Sequence, residues 1–267
     1  MGDNENNLGK VPKNHPRITS LMYRHKIITG MKKLVVAEAG LIAHGRGECF
    51  DYILGETTNN NAIQAIKAAV AQLLLAQHPV ISVNGNVTAL CSEDIVLLSK
   101  TVNAPLEINL FYRKKGRVDA IKKMLEEAGA QNILGTDESI MVEIGELSSN
   151  RRNVDPNGIK ISDVVFVPLE DGDRTEALKK LGKIVIAVDL NPLSRTSIWA
   201  DITIVDNIIR TIPQMTKIAL QYKNHNKEQL KNIVDEFNNK KNIQNALEFI
   251  IEYINLQKEK AFTILYK

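Results

Sequence analysis

The chain has 267 residues, 44% of them hydrophobic and 24% charged, which is ordinary for a globular protein able to build a sizeable core without disulfides. Its net charge of +3 suits phosphorylated small molecules but not nucleic acid, because no concentrated basic stripe occurs and the six Tyr, six Phe and single Trp199 do not interleave with basic runs. No apolar run approaches the roughly 18 residues a membrane span needs.

The polar N-terminus lacks a signal pattern, and the first ten residues, rich in Asn and Gly, read as a frayed tail. Pro16 suits the first position of a helix running to about Lys33, with Ile18, Leu21, Met22, Ile28 and Met31 on one side. Residues 39–56 read as a Gly-rich loop entering a short helix. Asn60 to Gln77 is the clearest helix, apolar all round and so expected to be buried. Val80 to Val83 is a short strand ending at Asn84-Gly85-Asn86, and Ser92 to Ser99 a helix capped by Ser92. Leu106 to Phe111 is a strand, Arg117 to Ala128 an amphipathic helix stopped by Gly129, and Asn132 to Leu134 a brief strand. Between Asp137 and Lys160 the pattern weakens, and Ser148 to Asn153 reads as a surface loop.

Val164 to Leu169 and Ile184 to Leu190 are β-branched runs of the kind covered on both faces. Between them Arg174 to Leu181 forms a short helix, with Asp173 as N-cap, Glu176 completing a capping box and Gly182 as the stop. Ile202 to Val205 is a last strand, and the remainder is helical. Strands alternating with helices predict an α/β fold, a doubly wound, mainly parallel, Rossmann-like sheet with a helical C-terminal appendage. The expected division is a tail at 1–11, an α/β nucleotide- and substrate-binding domain at 12–223 and the appendage at 224–267. Cys49 and Cys91 show no metal spacing and read as two reduced, buried thiols of a cytoplasmic protein.

Ligands of open parallel sheets bind beyond the carboxyl ends of the strands, and there the sequence concentrates polar residues. Asp189 is placed to accept hydrogen bonds from ribose hydroxyls, and Asn191, Arg195 and Thr196 follow it, the last two suited to phosphate; the bland alternative is a turn closed by an Asp189–Arg195 pair. Asp206-Asn207 and Asn84 converge on the same edge. Within His44-Gly45-Arg46-Gly47-Glu48, two glycines and a cation can cradle phosphate or merely make a tight turn. His44 is the candidate acid/base or phosphate contact, against the reading of a loop imidazole with no role. Asp171 and Asp173 can hold Mg²⁺ with substrate phosphates, or cap a helix and pair with Arg174. Arg113, nearest a strand end, is the one residue of its basic cluster chosen as an anion contact. No complete G-x-G-x-x-G occurs at Gly45 and Gly47, and no P-loop is present.

Several stretches together resemble one family, the archaeal phosphopantothenate synthetases, or 4-phosphopantoate–β-alanine ligases. They are HPR (His15–Arg17), AGLIAHGRGE (Ala39–Glu48), FDY (Phe50–Tyr52), HPVISVNGN (His78–Asn86), INLFYR (Ile108–Arg113), DVVFVPLEDGDRTEAL (Asp163–Leu178), and DLNPLSRT through DITIVDN (Asp189–Asn207). The resemblance implies an ATP-dependent, AMP-forming ligase of coenzyme A biosynthesis, using Mg²⁺ and acting as a homodimer. It places ATP on Arg24, Arg46, Asp189, Leu190, Asn191, Arg195, Thr196, Asn207 and Ile208. Arg46, Arg195 and His44 are then the catalytic candidates, and Asn84, His44 and Arg113 the candidates for holding phosphopantoate. Two rivals remain open: an ADP-forming kinase, and a nucleotide-sensing module without catalysis.

Overall fold

The computed structural model describes residues 12, 14–15, 17–145 and 149–265. The expected frayed tail, Pro16 and Ser148 lie outside them. Five parallel strands form the main sheet, in the order β2 (Leu106–Ile108), β1 (Pro79–Val83), β5 (Val164–Pro168), β6 (Ile184–Val188), β7 (Ile202–Ile204). From β1 the chain moves to β2 on one side, whereas β5, β6 and β7 extend the other. The switch point therefore lies between β1 and β5, where open α/β sheets place their ligands. The expected strand at Asn132–Leu134 is reduced to a single bridge between Glu107 and Leu134.

Strand side chains alternate between two cores, as a period of two dictates. Val164 and Phe166 of β5 face one core, together with the helices α3 (Asn60–Leu75), α4 (Gly85–Val102), α5 (Arg117–Glu127) and α8 (Ile208–Tyr222). Val165 and Val167 face the other, where Ala177 and Leu178 of α6 (Gly172–Lys180) pack. Helix α3 buries Ala62, Ala65, Ile66, Ala68, Ala69, Val70, Ala71 and Leu73, as its composition predicts. Helix α1 (Ile18–Lys32) buries Ile27 and Gly30 instead of the predicted stripe, leaving Met22 and Ile28 exposed. Gly129 and Gly182 close α5 and α6 with φ of +90° and +77°, a conformation glycine adopts without strain.

Residues 137–145 and 149–160 show little periodicity because their buried apolar residues, Ile144, Val154 and Ile159, reach the second core from short irregular pieces, and polar contacts fix the rest. Two short strands, β3 (Val142–Glu143) and β4 (Asn153–Val154), pair antiparallel. The buried Glu107 carboxylate accepts hydrogen bonds from the backbone nitrogens of Asp155 (3.1 Å) and Ile159 (2.6 Å), pinning this segment beside β2. The expected surface loop is in part a tight turn at Asn150–Arg152, with Arg151 buried.

The C-terminal helices α9 (Lys227–Asp235) and α10 (Asn239–Leu265) dock on the body. Ala246 and Ile250 of α10 join Leu54, Leu190 and Val205 in a third apolar cluster. Asn239 Oδ1 accepts from the Thr203 backbone nitrogen, and Asn242 Nδ2 donates to the Thr203 carbonyl, both at 2.8 Å, so α10 lies along β7. No described helix is long and apolar enough to cross a membrane. Cys91 is a buried free thiol as expected, whereas Cys49 is exposed on the surface of α2 (Glu38–Ile53).

Candidate active site

The segment expected to be a Gly-rich loop is the middle of α2, one uninterrupted helix. Glycines inside a helix cost about 1 kcal/mol each relative to alanine, but α2 packs on α1, α4 and α10, and such tertiary packing overrides propensity. Gly40 is needed where α2 meets α4: a β-carbon there would sit 2.3 Å from Asn86 Oδ1, whose own amide nitrogen donates to the Gly40 carbonyl at 2.9 Å. Helix α4 starts earlier than predicted, at the turn after β1, with Asn84 as its N-cap. The expected helix from Ser92 is its second half, beyond a break at Cys91.

Between α2 and the carboxyl ends of the strands lies a cavity of about 430 Å³. It spans the switch point, where Asn84 Nδ2 donates to the Leu169 carbonyl at 2.9 Å. Leu169 holds φ at +55°, a strained conformation for a leucine and of a kind that gathers at functional sites. Of the residues singled out in the sequence, His44, Arg46, Asn84, Asp171, Leu190, Asn207 and Ile208 line this cavity.

The others stand around it. Asp189 immediately precedes Leu190 and accepts from the Asn191 backbone nitrogen (2.9 Å) and from Ser194 Oγ. Burial pushes the Asp189 carboxyl above its usual range, with Arg46 the cation that opposes this. Asn191 Oδ1 accepts from the Leu193 nitrogen, and Thr196 Oγ1 donates to the Glu170 carbonyl, tying the turn after β6 to that after β5. Arg195 opens the short helix α7 (Arg195–Trp199), where it is exposed and paired with Asp173 and Glu176, not with Asp189. Arg24 clamps both oxygens of Glu48, itself a cavity residue, at 2.9 Å. Arg113 points elsewhere, to Glu138 and the Gly135 carbonyl.

Two buried arginines lining the cavity, Arg117 and Arg151, escaped the sequence reading. Arg151 pairs with Glu170 and Asp171. Beneath it the fully buried Arg174 pairs with Glu170 and reaches Ser82 Oγ at 2.9 Å. Burial pushes both guanidinium groups down to about 10, so both stay charged at neutral pH. Asp171, not Asp173, caps α6, which puts Arg174 rather than Glu176 three residues on, so no capping box forms; Glu176 pairs with Lys180 and Arg195. Burial raises the Asp171 carboxyl, but the Arg151 guanidinium beside it prevails and leaves it below its usual range. Arg117, the first residue of α5, donates to the carbonyls of Tyr112 and Val35, and burial lowers its pKa. One of these carbonyls, that of Val35, lies 82 residues away, so the sequence around Arg117 carries no local sign of its burial.

His44 completes the wall. Its Nε2 is buried with no hydrogen-bond partner among the described residues. Burial lowers its pKa and Arg24 adds to this, while Glu48 opposes both. The cavity thus joins cations, amides and a neutral imidazole on apolar walls, a combination suited to a phosphorylated ligand. Among the described residues no group of three His, Cys, Asp or Glu is placed to hold a metal. The carboxylates nearest the cavity are already committed, Asp171 to Arg151 and the Arg174 nitrogen, Glu170 to Arg151 and Arg174.

Residues 61–253 match the profile of a family described as phosphopantothenate/pantothenate synthetase. The chain is 54% identical over 252 residues to a protein of Thermococcus kodakarensis named 4-phosphopantoate–beta-alanine ligase, covering 94% of this chain and 96% of that one. Proteins of the same name from Thermococcus onnurineus and Methanosarcina mazei are 53% and 46% identical, over 89% and 91% of this chain and 91% and 95% of their own.

Proposed function

The chain belongs to the phosphopantothenate/pantothenate synthetase family, and from that premise we propose that it joins 4-phosphopantoate to β-alanine at the expense of ATP, for coenzyme A synthesis. The observation that carries this reading is the single cavity running from Asn84 across the switch point to Leu190 and Asn207, long enough in polar features for two phosphorylated substrates side by side.

In the proposed reaction the carboxylate of 4-phosphopantoate attacks the α-phosphorus of ATP and expels pyrophosphate. The amine of β-alanine then attacks the acyl carbon, and AMP leaves. The ATP end is built from Arg46, Asp189, Leu190, Asn191, Thr196, Asn207 and Ile208, with Arg24 behind Glu48. Arg46, without an ion pair among the described residues, is suited to neutralise the α-phosphate as charge develops on it. Arg195 takes part by exchanging Asp173 and Glu176 for phosphate oxygens, which exposed ion pairs allow at little cost. Asn84 serves the phosphopantoate end. Arg113 can serve it only by leaving Glu138. His44, neutral and lacking a partner at Nε2, is suited to take the proton of the incoming ammonium. The committed carboxylates do not fit a protein-built Mg²⁺ site, so any Mg²⁺ enters as the counter-ion of the ATP phosphates. The apolar residues Ile251, Ile254 and Leu256 left exposed on α10 support a homodimer, which sedimentation equilibrium tests.

The test of the reaction is incubation with ATP, 4-phosphopantoate and β-alanine. AMP, pyrophosphate and 4′-phosphopantothenate in equal amounts are expected. ADP in place of AMP would make the protein a kinase, and ATP bound but not consumed would make it a sensor.

A further inference from the structure

We propose that Arg117 anchors the phosphomonoester group of the acid substrate; the assignment rests on the ligase reading above. Arg117 lines the cavity and is only 7% exposed. Its two terminal nitrogens donate to backbone carbonyls, one of Tyr112 and one of Val35 (2.8 Å), and its Nε has no partner. No carboxylate among the described residues pairs with it, whereas the other two buried guanidiniums of this region, Arg151 and Arg174, each have one. A buried cation held by carbonyl dipoles alone leaves its desolvation largely uncompensated, and a dianion entering the cavity would supply what is missing.

The fold also makes room for it. A β-carbon on Gly85 would fall 2.9 Å from Arg117 Nη2 and 2.0 Å from the Val35 carbonyl oxygen, so only glycine lets the turn after β1 approach the guanidinium. The location selects the ligand. Asp189, Leu190 and Asn207 follow β6 and β7, whereas Arg117 follows β2, on the opposite side of the switch point. A nucleotide held by the first group leaves the Arg117 end to the other phosphorylated substrate. A guanidinium presents a planar fork that suits a phosphate dianion.

Arg117→Lys keeps the charge and loses the fork, and Arg117→Met removes both. With purified full-length protein, kcat/KM is measured for 4-phosphopantoate and for pantoate, which lacks the phosphate, at saturating ATP and β-alanine, along with KM for ATP. The expected result is a fall of about 100-fold in the preference for the phosphorylated acid in Arg117→Met and at least about 10-fold in Arg117→Lys, with KM for ATP within about twofold of wild type. If Arg117→Met does not fold, the lysine variant decides by the same comparison. Failure of the wild-type protein to join 4-phosphopantoate to β-alanine would overturn the ligase reading itself. A wild-type protein that does so, with variants that keep its preference or raise only KM for ATP, would overturn the assignment of Arg117.

Discussion

Asn207 donates its side-chain amide to Asp51 Oδ2 at 2.7 Å, joining the turn after β7 to α2 beside the cavity. The same carboxylate pairs with Arg210 at 2.6 Å, and Arg210 in turn holds Asp206, which accepts from Thr58 Oγ1 at 2.6 Å. The position of α2 over the strand ends thus depends on a network in which each buried charge has an opposite.

Breaking it at Asp51 leaves Arg210 with one carboxylate and the Asn207 amide with none. Asp51→Ala is expected to cost about 1–3 kcal/mol of stability and to raise KM for ATP more than for 4-phosphopantoate. Urea unfolding together with initial rates checks both. Unchanged ATP affinity at reduced stability would confine Asp51 to the fold.

Arg46 is exposed on α2 and makes no ion pair among the described residues, so its removal tests chemistry with little effect on folding. Arg46→Ala and Arg195→Ala are each expected to lower kcat/KM by about 100-fold or more with an unchanged melting temperature, as for loss of one donor aimed at developing charge. Wild-type turnover by either variant would remove that residue from the reaction.

Glu107 predicts a pH dependence of stability. Burial pushes its carboxyl from 4.5 up to about 7, against the hydrogen bonds from Ile159 and Asp155. A raised pKa in the folded state means a contribution fully present below pH 4.5 and lost as pH rises through about 7. At 1.36 kcal/mol per pKa unit the loss amounts to roughly 3 kcal/mol. Glu107→Gln cannot ionise, so wild type should lose stability relative to this variant between pH 5 and 8. A difference that stays constant across that range would contradict the assignment.

Gly85→Ala should be among the most damaging small substitutions in the chain. Its β-carbon would meet a backbone carbonyl at 2.0 Å, which no rotamer change relieves. A cost of at least about 2–3 kcal/mol is expected from overpacking alone, together with loss of activity. Normal stability on thermal unfolding would show that the Val35 segment moves freely.

Every strand of the main sheet was legible in the sequence, four of them because a β-branched run buried on both faces needs no partner to be recognised, and β2 from the apolar residues around Glu107. The turns after β1, β6 and β7 were legible too, since Asn84, Asp189 and Asn207 end apolar runs with side chains that cap or bind. Helix α2 was not, as its glycines suggest a loop until its packing is known. Asp171 rather than Asp173 caps α6, and its second oxygen is held by Arg151, a partner 20 residues away that the local sequence does not announce. Arg117 and Arg151 escaped notice because a surface arginine and one drawn under a cavity floor look alike in sequence.

The side-chain amides of Asn239 and Asn242 occupy both backbone groups of Thr203, in the middle of the outermost strand. Without them that border of the sheet would offer bare donors and acceptors to any extended chain, the template from which edge-to-edge aggregates grow. The C-terminal helix therefore does more than add apolar cover: it seals a seam. A chain truncated before residue 238 should precipitate, whatever remains of its cavity.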